Sequence, residues 1–498
     1  MNSFQRILLV FPNLDTLMPN VFPTDLGALS AYLKQFGYET RIHIVNTHRL
    51  LREFQDELRA FEPDVVGITG IGSQALYMKE LATASKAWRR DVPVICGGKN
   101  ASIAPDTLIN YKDIDVVCVG EGEYAFRDYL QALNDGADPT GIKNLWFRTD
   151  GEPIKNPCRS FVKDLDSLPF WDYDAVDYQA MIDFNYRWVM LLAGRGCPGI
   201  CTFCGVPPQA HLGEGEFCRL RSVEHVLGEI EMLERKYKFD HIYFRDDTFT
   251  WNRQWAMEWA EKYAAKFAYP YEILTRADCL DHELMDALKA SNCAVIWLGA
   301  DSGNDYIRNE ILKKGCSNER LIEVCDYLHE IGIRPHLTNM VGLPHETPEM
   351  HRETIELNRR VYSRRATVSP GTGPSPMIFV FSPFPGSSLW EMSAKEGWLR
   401  GHWRGFRTYR ESVIDMPQFP AKDVRRAQRK FRYEVYRTSH PVWAWFLRIA
   451  DSGLVQKARN VPAVNRLSVF SMKWVSAAFM RRDVQTAPSP VACRHPSH

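Results

Sequence analysis

Residues 193–207 read AGRGCPGICTFCGVP, and this loop governs how the rest of the chain is read. Cys197, Cys201 and Cys204 stand in a CxxxCxxC spacing directly after an apolar strand signal at residues 188–192. Three thiolates on one loop can ligate three irons of a cubane cluster, leaving the fourth iron without a protein ligand from this segment. Electron carriers supply a fourth cysteine close by and close the cluster, whereas a loop of three leaves a position open for chemistry. The competing reading is a structural zinc site completed by His211 or Cys218, although zinc ligands usually come as two close doublets. Gly194, Gly196, Pro198 and Gly199 shape the loop, which sets it apart from scattered surface cysteines.

Outward from the loop, strand signals at residues 188–192, 241–244, 271–274, 294–298, 334–340 and 377–381 alternate with helical spacing at 223–237, 254–267, 281–290, 318–331 and 348–362. Six such units predict a partial or full parallel barrel, whose chemistry sits at the carboxyl ends of its strands. Upstream lies a shorter series. Strands at 6–10, 40–45, 64–68, 93–95 and 115–119 alternate with helices at 26–36, 53–61 and 75–88, which predicts a doubly wound, Rossmann-like parallel sheet. Its strand ends carry Gly67, Gly70 and Gly72, then Gly97 and Gly98, then Gly120 and Gly122. Glycines at that edge let a large flat or phosphate-bearing ligand approach the backbone. The expected α/β organisation is a domain at 1–139, a turn-rich aromatic linker at 140–184, a barrel at 185–395, a basic helical segment at 396–482 and a disordered tail at 483–498.

Composition narrows the class. The 498 residues are 45% hydrophobic and 12% aromatic, so disorder, collagen-like repeats and a small disulfide scaffold are excluded. Twelve cysteines are too sparse for a disulfide framework and point to a reducing, cytoplasmic setting. The amino-terminal apolar stretch ends at Pro12 and reads as a buried strand rather than a signal peptide or membrane span. Lys and Arg total 61, as do Asp and Glu, but the balance is uneven. Residues 422–482 hold fourteen basic against three acidic residues, and the rest of the chain carries the opposite excess of eleven. Within that segment Val424, Ala427, Phe431 and Val435 share one helical face among arginines, and PVWAWFLRI follows at 441–449. Two readings stand: a helical cap over the barrel mouth, or a peripheral membrane contact through 422–482. No RNA- or DNA-binding motif accompanies the charge, so nucleic acid is not expected as a partner.

The cysteine loop, with Phe203 just before its last cysteine, resembles the hallmark of the radical SAM enzymes. The resemblance implies a 4Fe-4S cluster on Cys197, Cys201 and Cys204, with S-adenosylmethionine on the open iron as the source of a carbon radical. YFRDDTFT at 243–250 resembles the family's second-strand segment, which makes Asp246 and Asp247 candidates to hold the methionyl ammonium. WLGADSG at 297–303 resembles the ribose segment and places Asp301 and Ser302 there, with aspartate where glutamate is common. NMVGLPHET at 339–347 resembles the motif beside adenine, with Gly342 against the base. Arg276 reads either as a partner of the S-adenosylmethionine carboxylate or as part of a structural ion pair.

The amino-terminal series, with FPTDLGALSAYLKQFGY at 22–38 and VGEGEYAFRDYL at 119–130, resembles the cobalamin-binding class of that family. This implies cobalamin on Gly70, Ser73, Gly97, Gly98, Gly120, Glu121 and Gly122. The DxHxxG motif that supplies a histidine to cobalt is absent, leaving His43 or His48 as substitutes, and GGKN at 97–100 lacks the proline that often follows the glycine pair. The expected activity is methyl transfer to an unactivated carbon or phosphorus of a specialised metabolite, lipid or tetrapyrrole. An external flavodoxin or ferredoxin would supply the electron. An oxidative cyclase is the alternative, and a non-catalytic cobalamin and iron-sulfur sensor is the alternative outside enzymes.

Overall fold

The computed structural model describes residues 4–14, 20–46, 50–71, 74–363, 368–369, 373–400 and 412–452. The chain begins β1 (Arg6–Pro12), α1 (Thr24–Lys34), β2 (Glu39–Val45), α2 (Leu50–Phe61), β3 (Val65–Thr69), α3 (Ala75–Trp88), β4 (Val94–Gly97), α4 (Gly98–Ile103), α5 (Asp106–Ile109), β5 (Val116–Cys118) and α6 (Glu123–Asp135). The apolar runs of these strands are buried on both faces, as in β3, where all five residues are buried. The parallel order is β2-β1-β3-β4-β5, so the chain reverses direction across the sheet between β1 and β3. Ligand crevices of doubly wound sheets open at the carboxyl ends near such a reversal.

The stretch expected as a linker is more ordered than its composition suggests. β6 (Leu145–Phe147) and β7 (Ile154–Lys155) add two antiparallel strands to the β5 edge, and α7 (Tyr178–Phe184) follows. Trp171 and Tyr173 stack with Phe22 of the first domain, and Tyr173 O–H donates to Glu229 at 3.0 Å in the second series, which ties the segment to both neighbours.

The second series runs β8 (Trp188–Leu191), β9 (Gly194–Arg195), β10 (Arg219–Leu220), α8 (Val223–Lys236), β11 (His241–Phe244), α9 (Arg253–Lys266), β12 (Tyr271–Thr275), α10 (His282–Ala290), β13 (Cys293–Asp301), α11 (Asn318–Ile331), β14 (Arg334–Val341) and α12 (Pro348–Tyr362). A short hairpin, β15 (Val368–Ser369) with β16 (Gly373–Pro374), precedes β17 (Met377–Val380). The order β8-β11-β12-β13-β14-β17 is parallel throughout and open, a half-barrel. Side chains of Ser222, Asn252, Asp281, Ser317 and Thr347 accept from backbone N–H groups in the first turns of α8 to α12. Each such cap contributes about 1 kcal/mol and fixes where a strand's loop gives way to its helix.

After α13 (Ser388–Lys395) come α14 (Ala421–Tyr436) and α15 (Pro441–Ala450). Phe431, Val435, Tyr436, Trp443, Ala444 and Leu447 join the apolar layer between the barrel strands and their helices. Along the open β17 edge the two helices extend the outer layer, because an edge strand with a bare apolar face requires cover there, while the first turns of α14 reach the carboxyl end of β14, where Val424 joins the cluster of Met340, Val341 and Leu343. Residues 453–482 and 483–498 lie outside the described residues. Among the described residues no helix is long and apolar enough to cross a membrane.

Candidate functional site

The cysteine loop leaves the half-barrel at the carboxyl end of β8 and is pinned at its base where β9 pairs antiparallel with β10. Buried Asp246, just past β11, accepts hydrogen bonds from the backbone N–H groups of Ala193 (2.9 Å) and Gly194 (2.7 Å). On the far side Thr202 Oγ1 donates to the Ile311 carbonyl at 2.6 Å, and Phe203 packs with Ile307, Leu312 and Met340. Every cysteine sulfur meets a polar neighbour. Gly199 N–H lies 3.3 Å and Thr248 Oγ1 3.1 Å from Cys197 Sγ, Val206 N–H lies 3.4 Å from Cys204 Sγ, and Arg276 Nη1 lies 3.8 Å from Cys201 Sγ.

Burial pushes the Cys204 thiol up to about 11, and burial likewise raises Cys201 against the opposing charge of Lys314. Thiolates in such a place require a cationic metal. N–H groups directed at all three sulfurs are what a cluster's ligands need, so the loop fits an iron-sulfur cluster. The zinc alternative fares worse. A single zinc ion needs four donors on one point, whereas the loop supplies three cysteines in a spacing unlike the two close doublets that zinc ligands usually form. In a cubane the three thiolates bind three different irons and need not converge.

The remaining candidates divide by what their side chains already do. Asp246 is committed to the loop, and burial raises its carboxyl to about 7. Asp247, one residue on, is exposed and lines the cavity described below. Asp301, at φ +60° on the end of β13, is buried and ion-paired with Lys314. Ser302 is fully buried: its Oγ accepts from Asn304 N–H, and its carbonyl accepts from Arg308. Arg276 pairs with Asp278 at 2.6 Å and donates to the Lys314 carbonyl at 2.7 Å while leaning on Cys201. The ion-pair reading of Arg276 is thus the one its contacts show, and that pair holds the guanidinium beside the cluster loop.

Gly342 needs its glycine for a reason other than a base. Its φ is +80°, its N–H donates to Glu346 Oε2 at 2.6 Å, and a Cβ there would meet Val424 of α14 at 2.8 Å. Lys314 was not singled out from the sequence, since KKG at 313–315 follows no recognisable pattern.

A cavity of about 590 Å³ opens between the two sheets. Gly70, Gly97, Gly98, Gly120, Glu121 and Gly122 line it from the first domain, and Met190, Arg195, Gly196, Arg245 and Asp247 line it from the half-barrel. Gly98 has φ +82°, and a Cβ on it would meet Thr69 Oγ1 at 2.2 Å; a Cβ on Gly97 would find nothing nearer than 3.9 Å. Ser73 and Gly72 lie outside the described residues. Thr69 Oγ1 donates to Asp25 at 2.5 Å, and burial raises that carboxyl above its ordinary value. A floor of glycine backbone with hydroxyl and carboxyl groups at its margin fits a flat macrocycle carrying amide arms.

Two residues of this domain are engaged otherwise than the sequence suggests. Glu121 does line the cavity, but its carboxylate bonds Arg195 (2.8 Å), Arg219 (2.9 Å) and Val162 N–H (2.8 Å), while Arg195 reaches on to Glu123 at 2.5 Å. It clamps the domains together. His43 is no substitute cobalt ligand in this arrangement: it stands on β2 beside Phe54 and Glu57, off the cavity, and His48 lies outside the described residues. The histidine that lines the cavity is His225, whose Nδ1 accepts from Arg221 at 2.9 Å.

Residues 191–357 match the model of the Radical SAM superfamily, and the chain is a radical SAM enzyme. Residues 14–130 match the B12 binding domain, so it stands with the cobalamin-dependent members of that superfamily, with a 4Fe-4S cluster, S-adenosylmethionine and cobalamin as its cofactors. It is 26% identical over 439 residues to an uncharacterized methyltransferase of Pyrococcus horikoshii, covering 86% of this chain and 92% of that one. It is 25% identical to the cytidylyl-2-hydroxyethylphosphonate methyltransferase of Streptomyces wedmorensis, covering 83% and 86%. Among solved structures, the fold matches OxsB with aqua-cobalamin and S-adenosylmethionine bound (TM-score 0.66, 15% identity, 94% of this chain and 70% of that one). It also matches TsrM of Kitasatospora setae with cobalamin and a 4Fe-4S cluster bound (TM-score 0.64, 18% identity, 80% and 76%).

Proposed function

We propose that the protein transfers a methyl group from S-adenosylmethionine to an unactivated carbon, or to phosphorus, of a small or lipid-like molecule. The observation that supports this most is the shared cavity: the glycine edge of the first sheet and the cysteine-bearing mouth of the half-barrel face one space. Two relatives of nearly full coverage are named as methyltransferases, which supports the same reading. When bound, the cluster with S-adenosylmethionine supplies a carbon-centred radical and cobalamin carries the methyl group.

The chain's own part is positioning. Cys197, Cys201 and Cys204 hold the irons, Asp246 fixes the start of their loop, and Asp247 and Arg276 offer one charge of each sign for the methionyl ammonium and carboxylate. Asp301 serves the ribose once Lys314 shares it. Gly97, Gly98, Gly120 and Gly122 receive the macrocycle. Phe11, Val21, Leu29, Met190 and Leu192 line the cavity with apolar surface that excludes water from a reactive radical. The reducing electron comes from outside, from a flavodoxin or ferredoxin type of donor.

The test uses anaerobically reconstituted enzyme, a reduced flavodoxin system, cell extract and S-adenosylmethionine labelled in its methyl group. Methyl transfer puts label into a new product alongside 5'-deoxyadenosine. Deoxyadenosine with an unlabelled, dehydrogenated or cyclised product indicates the oxidative alternative, and neither product indicates a sensor.

A further inference from the structure

We propose that the hairpin of α14 and α15 is a docking surface for an anionic lipid membrane. α15 buries Trp443, Ala444, Leu447 and Ala450 against the barrel's outer layer, which accounts for one face only. Val442, Trp445 and Ile449 are 78%, 63% and 44% exposed. At spacings of three and four residues they share the opposite face. On α14, which packs against α15, Lys422, Arg425, Arg426, Arg429 and Lys430 are exposed.

The acids of the hairpin are fewer than its cations, and each is already paired. Asp423 pairs with Arg426, Glu434 with Arg437 and Arg359, and Asp451 with Arg432. Residues 421–452 hold eight basic and three acidic residues, and residues 453–482 add six basic residues with no acid.

An apolar stripe bearing a tryptophan, set beside a cationic face, is the chemistry of a helix lying in a headgroup interface. α15 is ten residues long, half of what a span requires, so it lies along the surface rather than through it. A nucleic acid would use the charge but leave Val442, Trp445 and Ile449 wet. An acidic protein or a second copy of this chain are the remaining occupants, and the experiment separates them.

Full-length, cofactor-loaded protein is floated with vesicles of phosphatidylcholine alone or mixed with phosphatidylglycerol. The expected result is co-flotation with the anionic vesicles, weakened by salt. The Val442→Glu, Trp445→Glu, Ile449→Glu variant is expected to partition at least about tenfold more weakly. An Arg429→Glu, Lys430→Glu variant loses the preference for anionic over neutral vesicles. Unchanged cluster and cobalamin absorbance in both variants shows that they are folded; where either spectrum is lost, the single Trp445→Glu variant takes its place. Absence of flotation with anionic vesicles, or equal flotation of wild type and the apolar-face variant, overturns the proposal. A change of oligomeric state in the variant without any vesicle binding assigns the face to a second copy instead.

Discussion

Replacing Arg195 by methionine should loosen the junction between the cobalamin-binding domain and the cluster loop while leaving each domain folded. Arg195 is the cation between Glu121 at 2.8 Å and Glu123 at 2.5 Å, and its side chain is 29% exposed. Removing one partner of a buried pair leaves uncompensated charge and costs about 3–5 kcal/mol. Partial exposure of Arg195, and the second cation that Arg219 keeps on Glu121, reduce this to about 2–3 kcal/mol. Amide exchange at residues 119–123 and 194–196 should therefore quicken about 30- to 150-fold, with protection inside α8 to α12 unchanged.

The triple variant Arg195→Met, Glu121→Gln, Glu123→Gln removes the cation together with both anions and should recover much of the lost protection. The pH dependence has a definite sign. Burial pushes the Glu121 carboxyl up, but Arg195 and Arg219 more than offset it and leave it below the ordinary carboxylate value. Its contribution is present above that ordinary value and disappears as pH falls through the lowered one, so wild type and single variant should converge in acid. Unchanged exchange at 119–123 in the single variant would refute the reasoning, because the clamp would then be carrying no load at the junction.

In a Cys197, Cys201, Cys204 triple alanine variant, the absorbance of the reconstituted cluster should vanish while cobalamin still binds; undiminished iron content would sink the cluster assignment. Asp246→Asn should lose one of the two hydrogen bonds to the Ala193 and Gly194 amides, at about 1 kcal/mol. Because burial raises the Asp246 carboxyl to about 7, the protein favours its neutral form. That contribution is complete below the ordinary carboxylate value of 3.8 and declines as pH rises toward 7, so wild-type stability should fall over that window and the asparagine variant's should not. Urea midpoints between those limits measure it, and parallel curves would rule out the assignment.

Most of the scaffold was legible because its signals are long. Strands of four to nine residues with apolar centres in β8, β11, β12, β13, β14 and β17, alternating along the chain with capped amphipathic helices, admit little besides a parallel sheet with helices outside. β6 and β7 were not legible: three residues and two residues carry no period, and their pairing is created by the β5 edge they join. At the site, residue types could be read but not their engagements. Asp246 and Ser302 look like ligand residues in sequence, and the fold turns both inward, one to hold the start of the cysteine loop and the other to accept from Asn304 N–H in the turn after β13. Lys314 and Arg219 reach the site from loops and short strands, where no spacing announces which way a side chain will point. Arg195, held between Gly194 and Gly196 in the cysteine loop itself, was the available hint of the clamp.

The even balance of 61 basic and 61 acidic residues hides how charge is used. In the body the surplus is negative, and several of its buried members are matched by cations: Glu121 and Glu123 by Arg195, Asp301 by Lys314, Glu229 by Arg221. The Arg195 and Arg221 pairs line the shared cavity, where unmatched charge would be costly once cofactors displace water. In the carboxy-terminal hairpin the logic reverses: the few acids are matched and the cations face outward. Net charge therefore says nothing about either surface. One half of the balance organises a dry site between two domains, while the other half lies outside that site along the open edge of the half-barrel, on the same hairpin as an apolar stripe that packing among the described residues leaves exposed.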